Sequence, residues 1–68
     1  MKLPVISGRK MVKVLHRKGW TAIRQTGSHV IMQKDDVPDE LSIPQHDKLK
    51  PGIVHQCIEI AGLTENDF

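Results

Sequence analysis

The sequence predicts a small α+β domain with its elements in the order α-β-β-β-α. Three observations carry this expectation. Apolar residues recur at helical spacing near both ends of the chain. Between them lie three short runs rich in β-branched and apolar residues, separated by Gly27 and by an Asp/Pro stretch at residues 35–38. Finally, 68 residues make one domain, 1–68, because a chain of that size buries only about 60% of its unfolded surface and leaves no room for a second core.

Ser7 is placed to cap a first helix over residues 8–18, in which Met11, Val14, Leu15 and Lys18 share one face and Val12 lies at its margin. Gly19 follows where a helix ends in a left-handed residue. Residues 20–26 read as a strand, Thr26-Gly27 as a tight turn and residues 28–34 as a second strand. That second strand would carry His29, Ile31 and Gln33 on one face and Val30 and Met32 on the other, and alternation leaves open which face meets the core. Residues 35–38 read as a loop, because Pro38 would interrupt a central strand. A short third strand is expected over residues 40–44, then a polar connection over 45–50. Pro51 fits the first turn of a second helix, which repeats Ile53 or Val54, Cys57 or Ile58, and Ala61 before stopping at Gly62. Thr64 and Asp67 have capping-box spacing, and Phe68 is expected to clasp the core. Three antiparallel strands with both helices on one face would bury these stripes and leave the other sheet face open.

The net charge of +2 hides a segregation. No acid precedes Asp35, whereas Lys2, Arg9, Lys10, Lys13, Arg17, Lys18, Arg24 and Lys34 all do. A local positive field attracts polyanions whatever the overall charge. Scarce aromatics, Trp20 and Phe68 only, argue against a platform that stacks successive bases. A single cysteine, Cys57, excludes an internal disulfide and suits a reducing compartment, so a cytoplasmic location is expected. The N-terminal residues show no long apolar run before Arg9, so neither a signal peptide nor a membrane partner is expected.

Four segments, in order, resemble the HicA (YcfA-like) family of mRNA interferase toxins. They are Gly8 through Leu15 to Gly19-Trp20, then Arg24-Gln25-Thr26-Gly27-Ser28-His29, then Ile43-Pro44-Gln45-His46, and last Leu49-Lys50-Pro51-Gly52 through Ile58 to Ala61-Gly62-Leu63 and Phe68. The resemblance implies a fold like a double-stranded-RNA-binding domain, RNA cleavage as the toxin of a type II toxin–antitoxin system, and a HicB-type antitoxin as partner. It carries the family's catalytic histidine to His29 and its turn glycine to Gly27. Two departures stand out. Ile53 occupies a position where the family usually has threonine, and residues 35–40 are unusually acidic.

The chemistry fits those residues. RNA carries its own nucleophile, the 2′-OH beside each phosphate, so cleavage can proceed without metal or cofactor. Such a reaction needs a proton taken from the 2′-OH and one given to the leaving 5′-oxygen, and histidine serves either step near neutral pH. His29 is the expected proton-transfer group, against the plainer reading of a surface strand histidine. His46 is the candidate second group, or else a loop residue bonded to its own backbone. Arg24, Gly27 and Ser28 on the hairpin, with Lys10, Lys13 and Arg17 on the first helix, are the expected RNA contacts. The helix cations would otherwise be a solvated face. His16 reads as a solvated helix residue, and His55 and Cys57, two apart on a helix, make a poor metal pair. The expected function is a metal-independent, ribosome-independent endoribonuclease acting on mRNA. Its rival is a non-catalytic RNA-binding module of the same fold, which would not need His29.

Overall fold

Residues 2–68 are described by a computed structural model. Helix α1 (Gly8–Arg17) begins as its sequence dictates, with the Ser7 hydroxyl accepting the Lys10 N–H at 3.1 Å. It ends in a Schellman arrangement. Gly19 takes φ 94° and donates to the His16 carbonyl, while Trp20 N–H reaches back to the Leu15 carbonyl. Helix α2 (Pro51–Ala61) starts on proline and stops at left-handed Gly62 (φ 66°). Between the helices run β1 (Thr21–Thr26), β2 (His29–Lys34) and β3 (Val37–Pro44), antiparallel in the order β1-β2-β3. The predicted α-β-β-β-α architecture is therefore the observed one.

Some boundaries differ from the sequence reading. β1 starts one residue late because Trp20 turns inward and is buried. The first hairpin turns on Gly27-Ser28, with Gly27 at φ 60° and the Gln25 side-chain amide donating to the Gly27 carbonyl. The larger correction concerns residues 37–39. The expected loop over 35–38 shrinks to the two-residue turn Asp35-Asp36: Lys34 pairs with Val37 across it, and β3 already runs through Pro38. Proline fits there because β3 is an edge strand, where a missing N–H need not break the ladder. The pairing slips between Met32 and Lys34, so residues 38–40 absorb the irregularity.

The core settles which face of β2 points inward. Met32, Leu41 and Ile43 are buried in one cluster with Met11, Val14 and Leu15 of α1 and Val54 and Cys57 of α2. Both helices thus cover one sheet face, and the face bearing His29, Ile31 and Gln33 is turned away from it. Burial pushes the Cys57 thiol up to about 11, as expected of a small core residue. At the C-terminus, Asp67 completes the Thr64 capping box around a 3₁₀ turn, and Phe68 packs against the core. Among the described residues, no helix is long and apolar enough to cross a membrane.

Candidate active site

The first turn of α1 is pressed onto the end of β3. A Cβ on Gly8 would lie 1.8 Å from the Pro44 carbonyl oxygen, so no other residue fits without moving the backbone. Gly8 N–H donates to the His46 carbonyl at 2.9 Å, and Gln45 N–H donates to the Ser28 carbonyl at 2.7 Å. These two bonds tie the segment after β3 to the helix on one side and to the β1–β2 turn on the other. The backbone of His46 is thereby fixed to α1.

The result is a cleft of about 290 Å³ lined by His29, Ser42, Pro44, His46, Leu49, Lys50 and Ile53. His29 opens β2 directly opposite Pro44, the last residue of β3. Both histidines are exposed on its walls, and Lys50 adds a cation from the residue just before α2. Pro44, Leu49 and Ile53 supply apolar surface. Lys50 escaped the sequence reading, because only the fold carries the start of α2 to the end of β3. Ile53 falls in this cleft and lines it with hydrocarbon. The acidic residues 35–39 lie at the opposite end of β2 and do not line it.

The remaining candidates are distributed unevenly. Arg24 lies on the His29 face because the hairpin closes with Thr26 opposite His29, and alternation carries Arg24 to the same side. It pairs with Ile31, and the register shifts by one only beyond it, between Arg24 and Ala22. Its guanidinium, however, lies 3.5 Å from Glu40, which also accepts a hydrogen bond from Gln33. That draws it along the sheet away from His29. Gly27 and Ser28 form the exposed tip of the hairpin beside His29. Lys10, Lys13 and Arg17 line a shallow groove of about 350 Å³ along α1, together with Arg9. Arg17 also donates to the Asp67 carbonyl at 3.0 Å. His16 is exposed on α1, and His55 pairs with Glu59 one turn further along α2 at 3.2 Å.

Residues 8–63 match the family described as the HicA toxin of bacterial toxin–antitoxin systems. The chain belongs to the HicA toxin family. The HicA match covers every element described above except the closing 3₁₀ turn. In structure, the chain is similar to a protein from a toxin–antitoxin complex of Streptococcus pneumoniae. The two share 30% identity and a TM-score of 0.72, over 85% of this chain and 98% of the other. No curated protein matches the chain.

Proposed function

We propose that this HicA toxin is a metal-independent, ribosome-independent endoribonuclease that cuts mRNA at the His29 cleft. The observation that carries this reading is the convergence of His29, His46 and Lys50 on one small concavity. One histidine takes the proton from the 2′-OH. The freed oxygen attacks the adjacent phosphorus, and the bond to the 5′-oxygen breaks as the other histidine supplies its proton. The products are a 2′,3′-cyclic phosphate and a free 5′-OH. Lys50 holds the charge that develops on the phosphorane. Gly27 and Ser28 let the RNA backbone approach the hairpin tip closely, and Arg24 contacts phosphate when it leaves Glu40. Lys10, Lys13 and Arg17 bind RNA flanking the cut. A HicB-type antitoxin in the same cytoplasm would silence the toxin, in keeping with the likeness to a member of a toxin–antitoxin complex.

The test is to incubate the protein with mRNA in EDTA beside His29→Ala. Cleavage by the parent, a loss of more than about hundredfold in the variant, and cyclic-phosphate ends are expected. Cleavage that demands Mg²⁺, or that is undiminished in His29→Ala, overturns the mechanism. RNA bound equally by both proteins and cut by neither leaves a non-catalytic RNA-binding module.

A further inference from the structure

The His29 cleft is not an isolated depression. The α1 groove shares Ser7 and Arg9 with a third concavity, of about 220 Å³, whose other walls are Gln45, His46 and Asp47. That concavity in turn shares His46 with the cleft. Through these shared residues the three adjoin as a path around the start of α1, with Arg9 lining two of them. Five cations line it, Arg9, Lys10, Lys13, Arg17 and Lys50, against one carboxylate, Asp47. Among the described residues, Arg9, Lys10, Lys13 and Lys50 are in no ion pair, whereas Lys18, Arg24 and Lys34 each face an acid.

We infer that this path takes a single strand of RNA, running along α1, crossing at Arg9 and placing one unstacked nucleotide in the cleft. This rests on the reading of the chain as an RNA-cutting toxin and goes beyond it by naming the form of the substrate and its route. Two features select a single strand. The cleft is at the small end of ligand-pocket sizes, so a nucleotide enters it only when splayed out of a helix. Its apolar walls, Pro44, Leu49 and Ile53, suit the face of a base, while Lys50 and the histidines suit the phosphate. The route also rounds the end of a helix on a molecule only 29 Å in its longest extent, whereas a duplex is stiff over far greater lengths. An A-form helix moreover holds each 2′-OH out of line with the leaving oxygen.

The test uses fluorescein-labelled RNA with every 2′-OH methylated, which removes the nucleophile, so that binding is read without cleavage. The strand is titrated alone and annealed to its complement, against the parent protein, Arg9→Gln and Lys34→Gln. The lone strand is expected to bind at least tenfold more tightly than the duplex. Arg9→Gln is expected to weaken it several-fold and to lower the slope of log affinity against log salt by about 0.7, the loss of one phosphate contact. Lys34→Gln, equal in charge but at the far end of β2, should change affinity less than twofold. Equal or tighter duplex binding, no binding, or indistinguishable effects of the two variants overturns the route. So does a polyglutamate peptide that competes as well as RNA, which would assign the groove to an acidic protein. Unmodified RNA run in parallel separates the two claims. Single-strand binding through Arg9 without any cleavage removes the catalytic reading and leaves the route, and cleavage with indifferent duplex binding does the reverse.

Discussion

At one end of the sheet, Pro44, paired with His29, meets the start of α1; at the other, Lys34, paired with Val37, lies beside its close at Gly19. The two ends are built from the same strands, yet their charges are handled in opposite ways. At the far end Lys34 pairs with Asp36 at 3.7 Å, and Lys18 with Asp67 at 3.6 Å. At the near end Arg9, Lys10 and Lys50 face water. The segregation of acids beyond residue 34 is thus not a division of the folded protein into halves. The chain folds its acids back onto selected cations and leaves others bare, among them Lys50 in the cleft and Arg9, Lys10 and Lys13 along α1. Exposed ion pairs of this kind add little stability. Their effect here is on where the positive field remains.

The sharpest way to break this comparison is through the two glycines that bound α1. At the near end, Gly8→Ala must drive the Pro44 carbonyl and the His46 segment away from the helix. A loss of about 3 kcal/mol in chemical unfolding is expected, with cleavage abolished even where the fold survives. At the cleft itself, Lys50→Ala should lower kcat about hundredfold with KM little changed, while Lys34→Ala should leave both unaltered. A similar fall in the two variants would erase the distinction between the ends. At the far end, a Cβ on Gly19 would lie 3.2 Å from only the flexible Lys34 side chain. Gly19→Ala should therefore cost only the strain of φ 94°, about 1–2 kcal/mol, with full activity at permissive temperature. Alkylation of Cys57 reads both glycine variants. Its buried, weakly acidic thiol should resist iodoacetamide until the fold opens, earlier in Gly8→Ala than in Gly19→Ala.

The smallest effect concerns pH. The Thr64 N–H, aided by Lys18, holds the Asp67 carboxyl below its ordinary 3.8, against an opposing contribution from desolvation. Because the folded pKa is the lower one, the stabilisation is complete above the unfolded value and is lost as pH falls through the folded one. Asp67→Asn should therefore flatten the acid limb of the unfolding curve slightly below about pH 4 and leave cleavage at neutral pH intact.

What could be read in advance followed the range of the interactions. Ser7, Gly19, Pro51 and Gly62 mark the helix ends by chemistry within a turn or so, and the structure uses each of them so. The start of β3 was hidden because Pro38 breaks the pattern of a central strand, and only sheet order reveals an edge. The inward face of β2 was undecided because Ile31 and Val30 are both apolar, and only the helices choose between them. At the site, the histidines could be named, but not their common cleft. That depends on the Gly8–His46 and Gln45–Ser28 bonds, which join residues far apart in the chain. The Arg24–Glu40 pair was equally invisible, since it joins β1 to β3 across β2 beside the irregularity at residues 38–40.

Position 8 has a wider consequence. The seam between helix and strand closes only around a hydrogen atom, so the spot that starts α1 also sets how far the second imidazole stands from the first. Any chain of this architecture with a bulkier residue there must part the seam and carry its imidazole elsewhere. That one letter offers a quick screen, before any protein is made, for chains in which the two imidazoles can still share a cleft.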